Sequence, residues 1–134
     1  MEELKRILFV EDDIDVVQLL NISLTNVGGY DVHGFTKGTD ALEKAREINP
    51  QLVLLDVMMP EMDGPTTFKR LRLLDGLSNT PIVFLTAKVS TAEKNQLFAL
   101  GAVAVIEKPF DPMTLPDKLL AAWAQHLQGI TPQG

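Results

Sequence analysis

Apolar residues along the 134-residue chain follow two alternating rhythms. Short bursts of strand length occupy residues 7–10, 30–35, 52–56, 81–86 and 103–106. All but the second are nearly continuous in apolar residues, the pattern of parallel strands covered on both faces. The second burst is more polar and is placed at a sheet edge. Between the bursts, apolar residues recur every three or four positions, the spacing that lines one face of a helix. Ile14, Val17, Leu20, Leu24 and Val27 form the first stripe, and Ala41, Ala45 and Ile48 the second. Phe68, Leu71 and Leu74 mark a third, Leu97 and Leu100 a fourth, and Leu115, Leu119, Trp123 and Leu127 a fifth.

Turn and capping residues support these elements. Gly28-Gly29 closes the first helix, Asn49-Pro50 stops the second, and Gly101 ends the fourth as a left-handed cap. Gly64-Pro65 sets a proline in the first turn of the third helix. Ser90 with Glu93 forms a capping-box signature for the fourth. Pro112 and Pro116 do not both fit inside one helix, so a turn is expected at residues 111–113 and the fifth helix from about Thr114.

Strict strand–helix alternation requires right-handed crossovers, hence an α/β fold with helices on both faces of a parallel sheet. Five units suit an open flavodoxin-like (βα)5 sheet of order 2-1-3-4-5, since a closed barrel needs eight. The expectation is one domain over residues 1–128 and a frayed, flexible tail over 129–134.

Composition narrows the class. The chain has no Cys, which excludes disulfide scaffolds, thiolate metal sites and thiol catalysis and fits a reducing, cytoplasmic setting. A net charge of −6 argues against direct nucleic-acid binding through a broad basic face. The N-terminus is acidic and no apolar run reaches membrane-spanning length, so neither a secretory signal nor a membrane span is expected.

In open parallel sheets, sites lie beyond the carboxyl ends of the strands at the switch in strand order. Strand one ends in Glu11-Asp12-Asp13, strand three in Asp56, strand four in Thr86 and strand five in Glu107-Lys108-Pro109. Asp13 reads as the cap of the first helix. Two carboxylates ~5 Å apart repel by roughly 3 kcal/mol at an effective dielectric of about 20. Glu11, Asp12 and Asp56 therefore require neutralisation, which Lys108 and a divalent cation would supply. An all-oxygen donor set favours a hard ion, Mg²⁺ before others. Such a site suits phosphoryl chemistry with a carboxylate nucleophile.

The segments Val10-Glu11-Asp12-Asp13, Leu54-Leu55-Asp56-Val57-Met58-Met59-Pro60, Met62-Asp63-Gly64, Phe84-Leu85-Thr86-Ala87 and Lys108-Pro109-Phe110 resemble the response-regulator receiver domain of two-component phosphorelays. The likeness runs from about Lys5 to Leu127. It implies that Asp56 accepts a phosphoryl group from a phosphohistidine, donated by a sensor histidine kinase or phosphotransfer protein. It further implies a Mg²⁺ site in which Asp12, Asp56 and the backbone carbonyl of Met58 are ligands and Glu11 acts through water. Thr86 would bond the phosphoryl group and move with it, and Lys108 would pair with a phosphoryl oxygen. The Lys108-Pro109 bond would be cis, Pro60 and Gly64 would shape the loop beside the acceptor, and Ile14 and Phe110 would meet the kinase.

Two positions depart from the family pattern. Val105 stands where an aromatic switch residue is frequent, so the output is expected to rely on Thr86 and on backbone shifts in the fourth helix. Gln51 replaces an Asp before the third strand and is read as a surface matter. Met58 and Lys88 occupy the positions that tune phosphoryl lifetime, and neither positions an attacking water, so self-dephosphorylation is expected to be slow.

His33, His126 and Trp123 are assigned no chemistry, Met58, Met59 and Met62 no cofactor role, and Lys69, Arg70 and Arg72 are read as a solvated helix face. The chain ends after the fifth helix, so the signal is expected to leave by relay or by contact with a protein target, with a phosphorylation-dependent homodimer as one form. Two competing functions are a Mg²⁺-dependent phosphohydrolase using Asp56 and a phosphorylation-independent docking module. Met58, where such phosphatases usually carry a second acid, counts against the first. The intact set of Glu11, Asp12, Asp56, Thr86 and Lys108 counts against the second.

Overall fold

A computed structural model describes residues 2–87 and 89–129. The tail from residue 130 onward and Lys88 lie outside the described residues. Five parallel strands, β1 (Arg6–Val10), β2 (Asp31–Phe35), β3 (Leu52–Asp56), β4 (Ile82–Thr86) and β5 (Ala104–Glu107), pair in the order β2-β1-β3-β4-β5. The helices between them are α1 (Ile14–Asn21), α2 (Gly38–Ile48), α3 (Gly64–Arg72), α4 (Thr91–Leu100) and α5 (Leu115–Gln128). The expected order and element sequence are both present, and β2 is at an edge. No helix among the described residues is long and apolar enough to cross a membrane.

The continuous apolar character of the central strands follows from two cores, one on each face. Successive side chains on a strand point to opposite faces. Ile7, Phe9, Leu52, Leu54, Val83 and Leu85 thus meet Leu20, Leu24, Leu115 and Leu119 of the first and last helices. Leu8, Val10, Val53, Leu55, Ile82 and Phe84 meet Ala41, Ala45, Phe68, Leu71 and Leu97 of the other three. The caps match their signals. The Asp13 carboxylate accepts the Asp15 N–H, the Ser90–Glu93 capping box is complete, and Asn49 and Gly101 end their helices in the left-handed conformation. Asp63, whose carboxylate accepts the Thr66 N–H, is a cap the sequence reading passed over.

Three expectations need correction. The first stripe does not form one uniform α-helix: after Asn21 the chain continues as a π-helix over Ile22–Val27. There Gly28 N–H donates to the Ser23 carbonyl and Tyr30 N–H to the Leu24 carbonyl, wider rings than an α-helix makes. An apolar spacing of three to four does not distinguish the two.

Gln51 is only partly exposed and is tied into the fold. Its Oε1 accepts the Lys5 and Arg6 N–H groups at 2.7 and 2.8 Å, and its amide donates to the Glu3 carbonyl at 2.9 Å. One neutral amide can serve donors and an acceptor together, which a carboxylate cannot. Gln51→Ala is expected to cost about 1–3 kcal/mol in urea unfolding by removing these bonds from the start of β1. Finally, Arg72 is not solvated like its neighbours. It lies 4.7 Å over the Phe68 ring and donates to the Leu77 and Thr80 carbonyls.

Candidate phosphoryl-transfer site

Parallel pairing brings four strand ends to one edge. Val10 is level with Leu55, Asp56 with Leu85, and Thr86 with Glu107. Backbone bonds hold the residues just past those ends: Glu11 N–H donates to the Phe35 carbonyl, Val57 N–H to Leu85, and Lys108 N–H to Thr86 at 2.7 Å. Glu11, Asp56 and Thr86 are all buried, at 0, 4 and 2% exposure, although each is polar. Burial at this level is costly for a charge unless it is paired.

Lys108 supplies the pairing. Its Nζ lies 2.6 Å from Glu11 Oε1 and 3.2 Å from Asp56 Oδ1. The first contact is close but poorly directed, so Glu11 Oε1 has no well-formed hydrogen bond among the described residues. Glu11 Oε2 accepts the Asp13 N–H at 3.0 Å, which fixes the carboxylate beside the start of α1. Carboxylate oxygens of Glu11, Asp12 and Asp56 all lie within 4.8 Å of one another.

Three carboxylates against one ammonium leave two negative charges uncompensated. The electrostatics of Asp56 express this excess. Burial, then the Glu11 charge, push its carboxyl up to about 7, against the opposing pull of Lys108. Burial works against the charge on Lys108, but the Glu11 and Asp56 carboxylates outweigh it and raise its pKa. A hard divalent cation fits this donor set in charge and in ligand type.

The loop after β3 positions the acceptor. Gly64 N–H donates to the Val57 carbonyl at 2.9 Å, and a Cβ on Gly64 would collide with the Asp56 carbonyl oxygen and crowd Val57 Cα. Gly64→Ala is therefore expected to lose about 2–3 kcal/mol and to perturb backbone amide NMR signals from Asp56 to Met58. Of the methionines here, Met62 is buried while Met58 is largely exposed.

Other expected positions are also located. The Lys108-Pro109 peptide is cis. Val105 is partly buried against the core of α2, α3 and α4. Lys94 of α4 pairs with Glu107, the register partner of Thr86, an ion pair that no local pattern foretells. Val16, Leu19, Lys108, Pro109 and Phe110 line a cleft, and Ile14, expected beside Phe110, is exposed but does not line it. His33 pairs with Asp31 on the edge strand, and His126 stacks on Trp123. Neither histidine is at the strand-end site.

The family model described as the response regulator receiver domain matches residues 7–120. The CpxR homolog of Haemophilus influenzae, a transcriptional regulatory protein, is 36% identical over 118 residues, covering 88% of this chain and 50% of that protein. The DNA-binding response regulator MtrA of Mycobacterium tuberculosis is 40% identical over 117 residues, covering 87% and 50% respectively. The chain thus spans about half the length of these relatives. Among solved structures, the chemotaxis protein CheY4 of Vibrio cholerae superposes with a TM-score of 0.83 at 32% identity, covering 90% of this chain and 99% of that one.

Proposed function

Since the chain belongs to the response regulator receiver domain family and is a switch module of two-component signalling, we propose that Asp56 is its phosphoacceptor. The observation that carries this reading is the buried convergence of Glu11, Asp56 and Lys108, where one ammonium serves two carboxylates. An Asp56 carboxylate oxygen attacks the phosphorus of a phosphohistidine. The P–O bond forms as the P–N bond breaks, and the electron pair leaves with the imidazole, which takes up a proton. The product is an aspartyl phosphate.

Lys108 pairs with one phosphoryl oxygen, and the Thr86 hydroxyl bonds another and moves toward it. Asp12, Asp56 and the Met58 carbonyl would hold Mg²⁺ directly and Glu11 through water, and when bound the ion supplies positive charge opposite the phosphoryl oxygens. Donor proteins, a sensor histidine kinase or a phosphotransfer protein, dock at the cleft formed by Val16, Leu19 and Phe110. With Val105 in place of an aromatic residue, the change passes from Thr86 into α4. Its recipient is a further protein. The aspartyl phosphate is long-lived because Met58 carries no group to orient water.

The test is incubation with acetyl phosphate or beryllofluoride and Mg²⁺, run beside Asp56→Ala. Uptake of one acid-stable, base-labile phosphoryl group that disappears in Asp56→Ala supports the switch. Multiple turnover of small phosphate esters would point to a phosphohydrolase, and no response to a docking module. Millimolar Mg²⁺ is expected to raise the melting temperature of the native protein by relieving carboxylate repulsion. An unchanged melting temperature would count against the metal site. A phosphoryl lifetime of seconds would remove the proposed slow hydrolysis.

A further inference from the structure

Among the described residues, the buried polar or charged side chains are Glu11, Ser23, Asp56, Thr67 and Thr86. Three belong to the site, and the Thr67 hydroxyl is satisfied one turn back in its own helix by the Asp63 carbonyl. Ser23 stands apart. It is fully buried in the π-helical continuation of α1, and its hydroxyl donates to the Pro112 carbonyl at 2.6 Å, across 89 positions of sequence.

Pro112 lies in the segment that begins with Lys108 and runs to α5. Pro109 and Pro112 remove two N–H donors from that segment, so it has fewer backbone means of fixing itself. At its start, Lys108 N–H is held by the Thr86 carbonyl, and at its end Thr114 and Leu115 N–H groups donate to the Asp111 carbonyl. Ser23 adds a tie from another element. That element is the π-helical turn continuous with α1, and α1 starts immediately after Glu11 and Asp12 at the Asp13 cap. The Ser23–Pro112 bond thus joins the two segments that bring opposite charges to the site.

We infer that Ser23 is a positioning residue for Lys108. By holding Pro112 against α1, its hydroxyl fixes the loop so that the ammonium stays aimed at Glu11 and Asp56. The inference rests on the reading of Lys108 as a phosphoryl-oxygen partner.

A double-mutant cycle tests it. Val and Thr share a branched shape, so Ser23→Thr and Ser23→Val impose the same extra bulk and differ in the hydroxyl. Each is made with Lys108 present and with Lys108→Met, and initial rates of phosphorylation by phosphoramidate are measured at saturating Mg²⁺. Circular dichroism confirms that each protein is folded. Should the Lys108→Met background not fold, Lys108→Gln replaces it, which also removes the charge but keeps a polar tip beside Glu11.

With Lys108 present, Ser23→Val is expected to react about three- to tenfold more slowly than Ser23→Thr, and the ratio should fall to about one in the Lys108 variant. A merely structural role would give the same ratio in both backgrounds, which overturns the inference. So does a ratio of one with Lys108 present when Lys108→Met itself slows the reaction. If Lys108→Met reacts at the native rate, the reading of the site falls first and the inference falls with it.

Discussion

Asp56→Asn is expected to raise the melting temperature of the metal-free protein at pH 8 by about 5–15 °C while abolishing phosphoryl uptake. The stabilisation comes from the charge the variant removes. Burial and the Glu11 carboxylate lift the Asp56 carboxyl from its ordinary 3.8 to about 7. Between those values the folded protein holds a proton that the unfolded chain has released. Stability therefore falls as pH rises through this window, and the loss is complete above about pH 7. A shift of this size corresponds to about 4 kcal/mol at most, and charge shared with Glu11 and Lys108 brings it to about 2–4 kcal/mol. Asn keeps the shape and carries no charge, so its melting temperature should vary much less between pH 4 and 8. Thermal unfolding of both proteins in EDTA across that range decides the matter: parallel profiles would refute the electrostatic account. Added Mg²⁺ should close most of the gap by stabilising the native protein alone.

That expectation was open to sequence reasoning, because it depends on which strand ends meet. Once alternation fixed the order 2-1-3-4-5, Glu11, Asp56, Thr86 and Lys108 had to share one edge, although up to 97 positions separate them. The apolar runs at 52–56 and 81–86 form strands buried along their whole length, whereas the equally apolar run at 103–106 forms the partly buried edge strand β5, so run character alone does not tell a central strand from an edge. Local caps were equally readable at Asp13, Ser90 and Gly101, where one side chain or one left-handed residue settles the geometry.

Features that depend on a distant partner were not readable. Gln51 looks like any polar residue before a strand until the N–H groups of Lys5 and Arg6 are brought beside it. Arg72 looks like Lys69 and Arg70 until Phe68 and the carbonyls after α3 surround it. The π-helical turn keeps Leu24 in the core beside Leu20 and leaves Val27 exposed, which apolar spacing alone gives no sign of, and the Ser23–Pro112 bond that accompanies it joins residues with no shared pattern. Sequence rhythm reports which face an element buries. It does not report which single polar group on that face finds a partner.

The second large effect is expected from Lys108→Met, which keeps most of the side-chain stem and removes the ammonium. Glu11 would then be a fully buried carboxylate without its ion pair, since the remaining Asp13 N–H reaches only Oε2. Breaking a buried pair from one side typically costs about 3–5 kcal/mol, far more than an exposed pair, because the surviving charge keeps its desolvation penalty. Asp56 also loses the one group that pulls its carboxyl down, so its pKa rises beyond about 7 and less carboxylate is present to attack phosphorus. With the phosphoryl-oxygen partner gone as well, uptake from acetyl phosphate should slow by about 100-fold. The two losses respond differently to conditions. Mg²⁺ draws on the same carboxylates and should stabilise this variant by more degrees than it stabilises the native protein. It should not restore the rate, because the ammonium that faces the phosphoryl oxygen is still missing. Thermal unfolding with and without Mg²⁺, run beside uptake kinetics, separates the two. A variant that is as stable as the native protein without Mg²⁺, or that reacts at the native rate with it, would remove Lys108 from the centre of this site.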